Sequence, residues 1–136
     1  MPKKKPVPTE YDLAVDYIVN LQRFGSQLGL ERAKALNAAL GNPQDRLKFI
    51  HVAGTNGKGS TSTMIAAALT AAGYKTGLYT SPSVERFEER IQIDGQMIPP
   101  EELVAGVAEV RQAVDTLLAQ GLEHPTEFEV VTSMAF

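Results

Sequence analysis

His51-Val52-Ala53-Gly54-Thr55-Asn56-Gly57-Lys58-Gly59-Ser60-Thr61 is the stretch on which the reading of the fold turns. Before it, residues 47–53 form a short β-prone run that leads straight into the glycines. After it, residues 60–72 are rich in alanine, carry Met64, Ile65 and Leu69, and close on Gly73. The pattern predicts a strand, a glycine turn and a helix. Lys75-Thr76-Gly77-Leu78-Tyr79-Thr80 reads as the next strand. A strand, a crossover helix and a second strand make a βαβ unit, so the fold class expected is α/β with a parallel sheet flanked by helices.

The glycines have a chemical meaning in that setting. A triphosphate packs several negative charges onto neighbouring oxygens, and backbone N–H groups, a helix N-terminus and one lysine can hold it. Gly54, Gly57 and Gly59 allow a tight turn and a close backbone approach. Lys58 supplies a point charge toward the outer phosphates, and the hydroxyls of Ser60 and Thr61 stand at the helix start. The expected ATP-binding residues are therefore Gly54, Thr55, Asn56, Gly57, Lys58, Gly59, Ser60 and Thr61, with Lys58 also catalytic. The loop departs from the usual G-x-x-x-x-G-K-[ST] form: Val52 stands where the first glycine would be, and Gly59 separates Lys58 from Ser60.

Upstream, Tyr11, Ala14, Val15, Ile18 and Leu21 recur at helical spacing and predict a helix from residue 9 or 10 to about 22, with Thr9 as N-cap. A second helix is expected from about residue 30 and stops at Gly41-Asn42-Pro43. Downstream, Asp94-Gly95 between Arg90-Ile91-Gln92-Ile93 and Gln96-Met97-Ile98 signals a hairpin. Pro99-Pro100-Glu101-Glu102 opens a long helix with the stripe Leu103, Val107, Val110, Val114 and Leu117. Thr126-Glu127-Phe128-Glu129 starts a last helix, which runs to Phe136 with no C-terminal capping signal. Residues 1–9 read as a disordered tail, and residues 10–136 as the front part of a longer protein.

Composition narrows the class. The 136 residues are about one domain's worth, and 43% are apolar, enough for a core. A net charge of −3 gives no electrostatic case for nucleic acid. The absence of cysteine excludes disulfides and thiolate metal sites and suits a reducing, cytoplasmic setting. No apolar run is long enough to span a bilayer, so no membrane partner is expected.

The extended glycine string is similar to that of the folylpolyglutamate synthase and dihydrofolate synthase branch of the Mur ligase superfamily. Arg23-Phe24-Gly25, Leu28-Gly29-Leu30-Glu31-Arg32, Gly41-Asn42-Pro43-Gln44, Leu78-Tyr79-Thr80-Ser81-Pro82, Glu89-Arg90-Ile91 and Thr126-Glu127-Phe128-Glu129 resemble family segments in the same order. The resemblance runs from about residue 10 to the end. It implies that residues 10–136 are the truncated N-terminal portion of a Mur-ligase-type ATP-binding domain with a P-loop NTPase-like sheet, the C-terminal domain being absent. It also implies an ATP-dependent ligase that adds L-glutamate to a folate or dihydropteroate carboxylate through an acyl phosphate. ATP and Mg2+ are the expected cofactors, the complete protein is expected to be a monomer, and the 136 residues alone are expected to be inactive.

The resemblance further implies magnesium contacts at Ser81, in the Thr-Ser-Pro loop, and at Glu129, in the Thr-x-Phe-Glu segment. Glu127 competes with Glu129: helical residues two apart point roughly 200° away from each other, so one of them can face a site. The Phe-Glu pairing selects Glu129. Residues 81–89 resemble the family's substrate-side loop but carry Ser83 and Val84 where histidine and leucine are usual, and Glu88 where asparagine is usual. Ser83 and Glu88 are therefore left unassigned, and Arg86 stays open between an acidic substrate and the surface. His51 reads as a strand residue rather than a base, and His124, before Pro125, as exposed. Two other readings stand beside the folate ligase: another Mur-type amide ligase, such as a peptidoglycan-precursor ligase, and a freestanding nucleotide-binding module. The Lys58-Gly59-Ser60 spacing argues against the former, whose lysine is usually followed directly by Ser or Thr.

Overall fold

The structure, a computed structural model, describes residues 7–136. Residues 1–6 of the expected tail lie outside the described residues, and Thr9 belongs to the first helix as its cap. Helix α1 (Glu10–Asn20) starts on a capping box: the Thr9 hydroxyl accepts from the Asp12 N–H at 3.1 Å, and the Asp12 carboxylate accepts from the Thr9 N–H at 2.8 Å. A 3-10 turn (Leu21–Phe24) follows, and then helix α2 (Glu31–Ala39). Helix α3 (Lys58–Ala71) leads to strand β1 (Gly77–Tyr79). A hairpin of β2 (Ile91–Ile93) and β3 (Gln96–Met97), helix α4 (Pro100–Ala119) and helix α5 (Glu127–Ala135) complete the chain.

The long helices build the core. The α4 stripe lies between two apolar clusters: Leu21, Leu36, Val110, Val114, Leu117 and Val130 in one, and Ala14, Ile18, Leu103, Val107 and Val131 in the other. Val130 and Val131 are successive residues of α5 and feed one cluster each, so α5 closes both. Each fully buried Leu, Ile or Val contributes about 1.5–3 kcal/mol. That burial fixes α5 against α1, α2 and α4, and with it the start of α5, where the acidic residues lie.

The α/β class holds, with a correction to the sheet. Among the described residues the sheet has three strands in the order β1-β2-β3, all antiparallel. Gly77 faces Ile93, Leu78 faces Gln92 and Tyr79 faces Ile91. The hairpin turn at Asp94-Gly95 has φ of 50° and 77°, as a two-residue turn of this hand requires. Residues 47–53, expected as a parallel partner of β1, form no strand, and His51 is exposed rather than part of one. A parallel strand needs cover on both faces. Here Phe49 and Ile50 are 56% and 62% exposed, and α3 packs on β1 without burying a single residue. The local hairpin pairs β1, and the run before the glycines stays unpaired and mostly exposed.

Candidate functional site

The glycine loop turns where the sequence demands. Gly57 precedes α3 with φ of 77°, a left-handed value, and a Cβ there would touch nothing within 4 Å. Backbone conformation rather than space is what calls for glycine at 57. The helix begins at Lys58, two residues before the expected start, and has no side-chain cap. The first N–H groups of α3 thus stand without a side-chain acceptor, on a fully exposed loop. Lys58 folds back over the same loop: its Nζ donates to the Gly54 carbonyl at 2.7 Å and to the Thr55 carbonyl at 3.4 Å. An ammonium has three protons, so one remains for an anion at the loop. The Thr63 hydroxyl donates to the Gly59 carbonyl at 2.8 Å, while Ser60 and Thr61 are exposed.

Ser81 follows β1 and is exposed, as expected of a residue just past a strand's carboxyl end. Its Oγ accepts from Arg90 Nη2 at 3.3 Å. The same guanidinium donates to the Tyr79 hydroxyl at 3.4 Å and makes a short bond to Glu127. The Tyr79 hydroxyl also accepts from Thr132 of α5 at 3.2 Å. Arg90 is 6% exposed, lies 5.2 Å from the Phe87 ring centroid, and keeps its Nε without a partner. The acid brought to the Ser81 side is therefore Glu127. No spacing rule flags this role for Arg90, since its partners lie on β1, in the loop after it and on α5.

Glu129 goes elsewhere. Its Oε2 accepts from the Thr126 N–H at 2.8 Å and the Thr126 hydroxyl at 3.0 Å, which closes a capping box for α5. Arg32 of α2 then forks onto it, with Nε to Oε2 and Nη2 to Oε1, both at 3.2 Å. Burial pushes the Glu129 carboxyl up, but the Thr126 N–H, Arg32 and the Thr126 hydroxyl outweigh it and hold the group below the usual carboxylate range. The Thr-x-x-Glu spacing of a capping box was legible in the sequence and could have shown where this carboxylate is committed.

Ser81 and Glu129, the residues expected at magnesium, each already have a partner within the chain. Magnesium takes oxygen ligands in near-octahedral geometry. Glu129 Oε2 accepts three hydrogen bonds and Oε1 one, and the Ser81 hydroxyl accepts from a guanidinium. Among the described residues no group of three or more His, Cys, Asp or Glu could hold a metal ion.

The loop after Ser81 is organised by Glu89, whose carboxylate accepts from the N–H groups of Val84 at 2.7 Å, Glu85 at 3.1 Å and Arg86 at 3.0 Å. Those backbone bonds lower its pKa. Glu88 is buried and tied to Arg86 at 2.8 Å and to the Tyr11 hydroxyl at 3.1 Å. Arg86 is thus half exposed and paired within the chain. His124 corrects an expectation: it is half-buried, stacked on Phe24 with ring centroids 4.1 Å apart.

A cleft of about 590 Å³ was not legible in the sequence. Gly29, Leu30 and Ala33 line one side, and Thr126, Phe128 and Thr132 the other. Phe128 is 58% exposed there. Neither Lys58 nor Ser81 lines it, but Phe136 does, and its ring meets Phe49, in the run that leads to the glycine loop, with centroids 5.3 Å apart.

Comparisons with known proteins bear on this geometry. No protein-family model matches the chain. The dihydrofolate synthase/folylpolyglutamate synthase of Bacillus subtilis (strain 168) is 43% identical over 128 residues, 94% of this chain and 30% of that protein. The apo form of the folylpolyglutamate synthase of L. casei superposes with a TM-score of 0.86 at 44% identity, over 93% of this chain and 31% of that one. A folylpolyglutamate synthase–AMPPCP–folate complex superposes at 0.85 and 44% identity, with the same coverage of each chain. The chain thus spans about 30% of the length of the curated relatives it matches. Identity at this level over nearly all of its residues, with the glycine loop inside the match, makes the chain similar to an N-terminal part of the folylpolyglutamate synthase/dihydrofolate synthase proteins.

Proposed function

We propose that the chain is the nucleotide-holding and acceptor-side segment of an ATP-dependent ligase that joins L-glutamate to a folate or dihydropteroate carboxylate. The observation that carries this reading is the glycine loop: an uncapped α3 N-terminus with a left-handed Gly57 and with Lys58 folded over it. Gly54, Thr55, Asn56, Gly57, Gly59, Ser60 and Thr61 cradle the phosphates, and Lys58 steadies the γ-phosphoryl group as charge builds on it. The acceptor carboxylate attacks the γ-phosphorus, the bond to the bridging oxygen breaks and ADP leaves. The glutamate amine then attacks the acyl carbon, phosphate departs and an amide remains.

The cleft suits a flat acceptor ring: Leu30, Ala33 and Phe136 give it apolar surface, Phe128 offers an exposed face, and Gln27, Asn37 and Thr132 add polar groups. The names of the relatives, and the folate and ATP analogue in one solved neighbour, support the folate branch over a peptidoglycan-precursor ligase. ATP is expected to arrive with magnesium, toward which this segment offers the Ser81 hydroxyl and the Glu129 carboxylate. Among the described residues no helix is long and apolar enough to cross a membrane, and a cytoplasmic monomer is the proposed state of the complete protein.

The test is the complete protein that carries this segment, supplied with ATP, magnesium, glutamate and either dihydropteroate or a reduced folate. Phosphate release that needs both acceptor and glutamate is the expected result. Release independent of them, or none, overturns the reading.

A further inference from the structure

Arg90 is a buried cation outside the cleft lining. The register of the sheet brings it to the Thr80-Ser81 turn. Tyr79 faces Ile91, and one step further the Thr80 N–H donates to the Arg90 carbonyl at 3.0 Å. The side chain reaches the next residue, where Nη2 donates to Ser81 Oγ at 3.3 Å. One residue therefore holds the turn twice, by its backbone at Thr80 and by its guanidinium at Ser81. Burying a guanidinium is costly unless its charge and its donors are met.

Its surroundings fix where the guanidinium points. Nη1 pairs with Glu127 of α5, Nη2 also reaches the Tyr79 hydroxyl at 3.4 Å, and the Phe87 ring centroid lies 5.2 Å from the guanidinium carbon. Thr132 of α5 donates to the same Tyr79 hydroxyl at 3.2 Å. The planar fork keeps Nη2 aimed at Ser81 while Nη1 is engaged. A serine hydroxyl has one proton and two lone pairs. Arg90 takes one lone pair, so the Ser81 proton turns away from the guanidinium and one lone pair is left. Exposed Ser81 thus presents an O–H donor and one acceptor site outward. The donor fits a phosphate oxygen, and the lone pair fits a divalent cation bound to it. Without Arg90 the same hydroxyl would turn freely among waters.

We propose that Arg90, anchored on Glu127, is a positioning residue that orients the Ser81 hydroxyl toward the metal-bearing end of the nucleotide. The proposal rests on the reading that Ser81 meets the magnesium that accompanies ATP. Arg90→Lys keeps the charge, but an ammonium lacks the planar fork that engages Glu127 and Ser81 together.

The experiment uses the complete protein and AMPPCP, an ATP analogue that cannot pass on its γ-phosphoryl group. Calorimetry gives the affinity for AMPPCP with and without magnesium in wild type, Arg90→Lys, Ser81→Ala and the double variant. The ratio of the two affinities is the magnesium gain. Arg90→Lys is expected to cut that gain by about three- to tenfold, the range for one hydrogen bond, with the metal-free affinity nearly unchanged. Ser81→Ala is expected to cut it at least as far, and the double variant to match Ser81→Ala, as for a residue that acts through another. An unchanged gain in Arg90→Lys overturns the proposal. So does a double variant in which the two losses add, and so does a loss that is equal with and without magnesium, which is what a support of the fold alone would give. Should Arg90→Lys fail to fold, Glu127→Gln decides: it removes the charge that anchors Nη1, and an unchanged gain there overturns the proposal. Failure of the underlying reading has a different signature. If Ser81→Ala keeps the full wild-type gain, Ser81 does not meet the metal, and the role of Arg90 falls with it.

Discussion

Lys58→Ala separates a residue that serves an anion from one that serves the fold. The side chain is exposed, and its bonds go to the Gly54 and Thr55 carbonyls of its own loop. It opens α3, where alanine is at least as good a helix former. Stability is therefore expected to change by no more than about 0.5 kcal/mol, the usual range for a surface substitution. The phosphate contact is different. A hydrogen bond to a charged group contributes about 1.5–3 kcal/mol, so losing it should weaken ATP binding by about 10- to 150-fold. Urea unfolding of wild type and variant measures the first quantity, and calorimetric titration with ATP the second. In the complete protein the variant should also lose turnover, because in the proposed function the lost charge is the one that steadies the transferring phosphoryl group. An ATP affinity within twofold of wild type would refute the role of Lys58. A stability loss above about 2 kcal/mol would refute the claim that the residue is peripheral to the fold.

The other expectations concern what holds the site. Leu36→Ala empties a fully buried position between α2, α4 and α5 and should cost about 2–5 kcal/mol, read as a lower urea midpoint with unchanged slope. A loss below about 1 kcal/mol would mean that the helices repack freely around it. Acid should also weaken the fold. The carboxyls of Glu88, Glu89 and Glu129 are all held below the usual range, so their contribution is complete above the unfolded value of about 4.3 and disappears as pH falls through the lowered folded values. Unfolding free energy should be level from neutral pH to about pH 5 and drop below that, with a shallower drop in Glu129→Gln. A drop that Glu129→Gln leaves equally steep would show that the Arg32 pair contributes none of it.

Several features were fixed by residues close together in the chain, and these were legible before any coordinates. Thr9 with Asp12, Pro100 at a helix start and the positive φ of Asp94-Gly95 follow from contacts within about four residues, which spacing rules capture. The glycine loop is of this kind too: a left-handed residue, then a helix with an open N-terminus. The α4 stripe identified the core face because a helical period exposes it directly. Tertiary structure decided the rest. Whether 47–53 pairs with β1 depends on covering layers rather than on the run's own β-propensity, and the uncovered run stayed unpaired. The choice between Glu127 and Glu129 depended on which arginine each met: Arg90, 37 residues from Glu127, or Arg32, 97 residues from Glu129. Periodicity places a side chain on a face and says nothing about the charge that arrives opposite it. The sequence alone thus determined that a glycine loop opens a helix and where it begins. The packing of α5 onto α2 and α4 determined the cleft and brought Glu129 opposite Arg32.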